Sequence, residues 1–192
     1  MFAGNIGAAQ DFPTILAAAE ALRKYDDIHW LVVGDGRMAS WVKSRIMERG
    51  LSKHVHLLGR HPVESMPRFY ALADVMLVTL RKEPIFALTI PSKVQSYLSG
   101  GKPVIAALDG EGARIVEESG AGLTCPAEDA ESLTKAVLAM YHKSPSERQA
   151  MGDRGLSYFQ THFESRMLLE RLERWMSELG KKGTDIPGRI SP

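Results

Sequence analysis

Ile28-His29-Trp30-Leu31-Val32-Val33, then Gly34-Asp35-Gly36, then apolar residues at Met38, Trp41, Val42 and Ile46: this stretch decides the architecture. Its first part is a short apolar run, as in a strand covered on both faces. The glycines turn the chain, and the spacing of the four apolar residues predicts a helix with one buried side. Gly50 ends that helix, because glycine takes the left-handed conformation beyond a last helical turn at no steric cost.

The same unit repeats in both directions. Upstream, Phe2-Ala3 reads as the end of a strand and Gly4-Asn5-Ile6-Gly7 as its turn. The next helix opens at Asp11 and Pro13, with Ile15, Leu16, Ala19 and Leu22 on one face. A chain rarely opens on half a strand, so Met1 is expected to be a cut with sequence missing upstream. Downstream, strands are predicted at Val55–Leu58, Val75–Leu80, Pro103–Ala107 and Gly122–Cys125. Helices are predicted at about Glu64–Ala73, from Pro91-Ser92-Lys93 to Gly100-Gly101, over Glu111–Ser119 and around Leu133, Ala136, Val137 and Met140. The loop from Arg81 to Ile90 is long, and long ordered loops are often functional. Leu168, Leu172, Trp175, Met176 and Leu179 share one face of the last helix. A stripe of this kind is usually core, its alternative being packing against a missing partner domain. Residues 1–180 are expected to form one domain, and 181–192, rich in glycine, proline and charge, a disordered tail.

Strand–helix alternation of this kind makes an α/β fold, a doubly wound, Rossmann-like parallel sheet with extra C-terminal helices. Its ligands bind beyond the carboxyl ends of the strands, so the loops after the strands are where chemistry is expected.

Composition narrows the function. Of the 192 residues, 44% are hydrophobic and 24% charged, an ordinary soluble-globular balance. With 24 Lys+Arg against 23 Asp+Glu there is no basic surplus for neutralising nucleic-acid phosphates. The single cysteine, Cys125, excludes an intrachain disulfide and suits a reducing compartment; beside Pro126 it reads as a buried thiol at a strand end. No apolar run approaches the roughly twenty residues needed to span a bilayer, and the N-terminus lacks signal-peptide features. A cytoplasmic location is expected. There is no Gly-Lys-Ser or Gly-Lys-Thr phosphate loop and no Asp-x-Asp metal motif. His54, His56 and His61 lack a completing cysteine or carboxylate, so they read as surface or turn residues and no metal is expected.

Several post-strand loops share one chemical style. Gly4-Asn5-Ile6-Gly7 and Gly34-Asp35-Gly36-Arg37 let backbone amides approach a ligand at a helix start. Arg60 follows a strand, and Pro91-Ser92-Lys93 adds a hydroxyl and a cation. Lysine in a first helical turn opposes the helix dipole, which favours a functional reason for Lys93. Together these loops suit a phosphate-bearing ligand. Gly34-Asp35-Gly36 with Ala39 also mimics a dinucleotide fingerprint, and Arg60 would then meet the 2′-phosphate of NADP. An NADP-dependent oxidoreductase, a non-catalytic nucleotide-binding module and a nucleotide-sugar epimerase are the alternatives.

In order, Gly4-Asn5-Ile6-Gly7-x-x-Gln10, Val32-Val33-Gly34-Asp35-Gly36, Leu58-Gly59-Arg60, Pro91-Ser92-Lys93, Gln95-Ser96-Tyr97-Leu98 and Gly101-Lys102-Pro103-Val104 resemble the C-terminal domain of family 4 glycosyltransferases. These are retaining enzymes of the GT-B fold, and the branch resembled makes bacterial surface polysaccharides such as lipopolysaccharide or capsule. The resemblance implies the nucleotide-sugar-binding half of a two-domain enzyme whose N-terminal, acceptor-binding half is absent. It implies no cofactor, only a nucleotide-diphosphate sugar donor, a UDP-sugar favoured. The full enzyme would be cytoplasmic or sit at the inner face of the cytoplasmic membrane. Gly4 and Asn5 would approach the diphosphate, Gly59 and Arg60 the base, Ser92 and Lys93 the diphosphate, with Gly34 in the adjoining turn. Lys82, Glu83 and Thr89 would lie near the donor sugar. The chain departs from the family pattern where many members carry an arginine and a Lys-Gly pair in the first loop; here Asn5 and Gln10-Asp11 stand there, and Lys93 is the expected compensation. The usual pair of glutamates falls on Leu88 and Ser96, which leaves Gln95 or Ser96 to hold the ribose without charge. Alone, the chain is expected to be catalytically inert.

Overall fold

The computed structural model of the chain describes residues 1–183. Six strands form: β1 (Phe2–Ala3), β2 (Trp30–Val33), β3 (Val55–Gly59), β4 (Met76–Thr79), β5 (Val104–Ala107) and β6 (Gly122–Cys125). They make two three-stranded parallel sheets, in the orders β1-β2-β3 and β4-β5-β6. β1 lies beside β4, where the Leu77 amide donates to Met1 O at 2.8 Å. From β1 the chain winds outward through β2 and β3; from β4 it winds the other way. That reversal is the switch point of a doubly wound sheet, and the crevice beyond the carboxyl ends of β1 and β4 is the place for a ligand.

The crossovers carry α1 (Phe12–Ala21), α2 (Ala39–Glu48), α3 (Met66–Leu72), α4 (Pro84–Ala87), α5 (Ser92–Ser99) and α6 (Glu111–Glu118). After β6 come α7 (Ala130–Tyr141), α8 (Pro145–His162) and α9 (Ser165–Gly183). Alternation along the strands feeds two cores. Leu77 and Ile105 pack with Leu16 of α1 and Leu133 of α7, whereas Val78 and Val104 pack with Leu98 of α5 and Val116 of α6. Both faces of the sheet are thus covered, which is why its strands are apolar throughout. The Gly50 stop forms as expected: Gly50 has φ 66, its amide bonds Met47 O at 3.1 Å, and the amide of buried Leu51 bonds Ile46 O at 2.8 Å.

The structure differs from the sequence expectations in local places. β2 starts at Trp30, two residues after Ile28, and the expected helix at 64–73 is split into a 3-10 turn (Val63–Ser65) and α3. The loop after β4 contains α4. His54 lies in the turn before β3 but is buried, its Nδ1 3.4 Å from Ile28 O. The largest correction concerns α9. Leu168, Leu172, Trp175, Met176 and Leu179 are exposed to 43%, 49%, 53%, 65% and 69%, so the stripe is not core. α9 runs through Gly183, and the rest of the expected tail, 184–192, lies outside the described residues.

Candidate functional site

The turns after β1 and β2 are laced together. Gly4 N donates to Val33 O at 2.8 Å, Ile6 N to Asp35 O at 2.9 Å, and Met38 N to Ile6 O at 3.0 Å. This close approach requires glycine: a Cβ on Gly34 (φ 138) would stand 1.9 Å from Gly4 O, and one on Gly36 would stand 2.4 Å from Asn5 Oδ1. The lacing also consumes donors. Gly34 N bonds Gly59 O at 2.8 Å, Gly36 N bonds the Asp35 side chain at 2.7 Å, and Met38 N is held by Ile6 O. A dinucleotide fingerprint presents the amides of this turn to a pyrophosphate. Three amides of this turn are taken here, while those of Asp35 and Arg37 have no hydrogen-bond partner among the described residues. In the first loop the amides of Asn5 and Gly7 likewise have no hydrogen-bond partner among the described residues.

These turns wall a cleft of about 500 Å³. Gly4, Asn5, Gly34 and Arg60 line it together with His61 and Met66. Gly59 sits directly beside it, in the left-handed conformation (φ 74) at the end of β3.

From the first turn of α5, Lys93 approaches Gly4, which lines the cleft, though Lys93 is not itself among the lining residues. A Cβ on Gly4 would stand 2.6 Å from Lys93 Cε, so the bare glycine makes room for the lysine stem. Its Nζ donates to Gln10 Oε1 at 2.7 Å and lies 5.2 Å from the centre of the Phe2 ring. Burial lowers the pKa of this ammonium. No carboxylate stands within ion-pair distance of it among the described residues. A desolvated cation with an uncharged partner, at a switch point and beside the first glycine turn, is an arrangement suited to an anion.

The lysine is placed by Tyr97, one helical turn further along the same face of α5. The Tyr97 hydroxyl donates to Ala3 O and accepts from Ala3 N, both at 3.0 Å, and burial pushes its pKa up. It pins α5 to β1. The first loop is tied to β4 as well: Thr79 Oγ1 donates to Gln10 O at 2.5 Å and Arg81 N to Ala9 O at 3.0 Å.

Other sequence-derived residues lie outside the cleft walls. Ser92 and Ser96 are exposed on α5, and Gln95 is half-buried there. Lys82, Glu83 and Thr89 are exposed around α4; Glu83 O accepts from Phe86 N at 3.0 Å, and Thr89 Oγ1 donates to Phe86 O at 3.2 Å. α4 rests on the turn after β5, where a Cβ on Gly110 would stand 2.0 Å from Ala87 O. Sequence reasoning missed Phe2, Gln10, His61 and Tyr97 as parts of this neighbourhood. The four-residue spacing from Lys93 to Tyr97 was the available signal for the last, since such residues share a helix face.

A larger cavity, about 790 Å³, lies at the opposite, amino end of the strands between the two sheets. Its walls include Phe2, Trp30, Leu31, Val75, Leu77 and Met140, and Arg148 there faces Asp74 at 3.7 Å. Its lining mixes these apolar side chains with Asp27, His29, His56 and Tyr141, and includes none of the glycine turns. No group of three metal-binding side chains occurs among the described residues.

Comparison with known proteins agrees with this fold. Among solved structures, Anabaena Alr3699/HepE in complex with UDP superposes with a TM-score of 0.77 at 17% identity, over 92% of this chain and 48% of that one. The C-terminal domain of the glycosyl transferase group 1 family protein LpcC from Francisella tularensis superposes with a TM-score of 0.66 at 18% identity, covering 85% of this chain and 86% of that one. At such identities the likeness shows the shared fold. The probable glycosyltransferase WbjE of Pseudomonas aeruginosa is 33% identical over 138 residues, which are 71% of this chain and 34% of the relative. The chain thus spans about a third of the length of that curated relative. The model of one family, glycosyl transferases group 1, matches residues 1–143, from the first strand past α7. The chain belongs to the glycosyl transferases group 1 family.

Proposed function

We propose that this chain is the donor-binding half of a retaining glycosyltransferase, and that its crevice takes the diphosphate of a nucleotide-sugar. The observation that carries this reading is Lys93: a cation drawn from water, held by the uncharged Gln10 side chain, and set against Gly4 of the first loop. Gly59 and Arg60 flank the place of the base. Lys82, Glu83 and Thr89 would lie on the sugar side once the α4 loop meets a bound donor. Solved relatives in complex with UDP, UDP-glucose, or UDP and GlcNAc favour a UDP-sugar. In this reading the chain contributes positioning and stabilises charge on the departing diphosphate through the ammonium and oriented amides. The acceptor, a glycan or lipid-linked sugar of a bacterial surface polysaccharide, would be bound by a further domain. This chain alone is therefore expected to transfer no sugar.

The test is amide NMR of the chain during UDP addition. Shift changes should concentrate at Gly4–Gly7, Gly34, Gly59, Arg60 and Lys93. Changes confined to the larger cavity around Trp30 and Val75 would contradict the assignment. Sugar transfer by the purified chain would contradict the division of labour.

A further inference from the structure

Three details around Lys93 stand apart from its proposed contact with a diphosphate. Its hydrogen-bond acceptor is a neutral carboxamide, Gln10 Oε1, at 2.7 Å. That carboxamide comes from another element, 83 residues away along the chain. The Gln10 main chain is fixed independently of its side chain, since Gln10 N donates to Gly7 O at 3.1 Å and Gln10 O accepts from Thr79 Oγ1 at 2.5 Å.

A lysine side chain has four rotatable bonds and, unheld, would disperse its ammonium through solvent. Phe2 supplies an aromatic face 5.2 Å away and Gly4 supplies space, but neither fixes a direction. The Gln10 carbonyl does. It is also the kind of acceptor that leaves the charge available. A carboxylate at this position would form an ion pair, neutralise the ammonium and compete with an incoming phosphate; a carboxamide orients the ammonium and leaves its full charge for the ligand. Resting on the donor-binding reading above, we infer that Gln10 is a positioning residue that holds Lys93 toward the donor diphosphate without discharging it.

The arrangement has a second consequence. The ammonium and the carboxamide meet at one point, so the two side-chain types are exchangeable. A lysine at 10 and a glutamine at 93 would put the cation within a bond length or two of its present place.

The test uses the wild-type chain and Lys93→Ala, Gln10→Ala, Gln10→Glu, Lys93→Gln and the exchange Gln10→Lys/Lys93→Gln. UDP affinity is measured by calorimetry, and the Lys93 ammonium is titrated by NMR with lysine labelled at Cε. Gln10→Ala should weaken UDP about tenfold and Gln10→Glu about a hundredfold, the range for perturbing one charge-assisted hydrogen bond. Unfolding temperatures should stay close to wild type, because the Gln10 backbone bonds remain. The Lys93 pKa should rise in Gln10→Glu and fall in Gln10→Ala. The exchange should recover most of the affinity lost in Lys93→Gln. A loss of UDP binding in Lys93→Ala with unchanged affinity and unchanged Lys93 titration in the Gln10 variants would overturn the inference and leave the donor-binding reading standing. Absence of UDP binding to the wild-type chain would remove that reading, and with it the role given to Gln10.

Discussion

In the proposed donor site, Lys93 would act through its surroundings more than through its identity. Burial lowers its pKa, so the ammonium is lost at a lower pH than an exposed lysine would lose it. UDP favours the protonated form. Affinity should therefore fall as pH rises through that lowered pKa, and Lys93→Met should abolish this alkaline limb. Lys93→Ala should cost about 1 to 3 kcal/mol of binding, the range for a charge-assisted hydrogen bond. Asp11 poses the reverse case. It is buried in the left-handed conformation (φ 45), its Oδ2 has no hydrogen-bond partner among the described residues, and burial raises its pKa. A carboxyl with a raised folded-state pKa supports the fold at low pH and loses that support as pH rises through the shifted value. Asn tolerates the left-handed conformation and carries no charge, so Asp11→Asn should raise the unfolding temperature at pH 7, and a lower one would contradict this account of the residue. Cys125 is buried, with its thiol pushed up to about 11 by burial and by the nearby Asp129 and Asp109. It should resist alkylation until the chain unfolds, as thiol counting with and without denaturant will show.

At the level of elements, glycine turns and terminal helices behave in opposite ways. Gly34→Ala would drive a Cβ into Gly4 O and should destabilise by more than about 3 kcal/mol or prevent folding. At Gly59, where an added Cβ would meet nothing within 4 Å among the described residues beyond its chain neighbours, alanine should cost only the left-handed backbone strain, about 1 to 2 kcal/mol. Equal losses in chemical denaturation would contradict the laced-turn account. For α9 the exposed stripe gives a different expectation: Trp175→Glu and Met176→Ser should change stability by less than about 1 kcal/mol, as surface substitutions do. Leu16→Ala in the core should cost about 2 to 5 kcal/mol. The strands and most helices were legible in the sequence because apolar period and glycine stops are local signals. The α9 stripe was misread for a reason equally physical. Periodicity reports that a helix has an apolar face and is silent on whether the rest of the chain has a face left to cover it.

For the whole molecule, the switch point between β1 and β4 explains why distant segments converge. The turn after β1, the end of β4 and the start of α5 meet there, bringing Gly4, Gln10, Thr79 and Lys93 together. Strand–helix alternation made that convergence predictable in outline. The Gly4–Asn5, Gly34 and Arg60 part of the cleft followed from loops lying directly after strands. The Gln10 contact did not, because two side chains 83 residues apart meet only once α5 has been set against β1 by Tyr97. The central claim is that this crevice binds a nucleoside diphosphate through Lys93. Calorimetric titration of the wild-type chain and Lys93→Ala with UDP, GDP and NADPH tests it most directly. The account predicts saturable binding of a nucleoside diphosphate, UDP before GDP, that Lys93→Ala weakens by about 1 to 3 kcal/mol, with no binding of NADPH. Binding of NADPH alone, or UDP binding indifferent to Lys93→Ala, would contradict it.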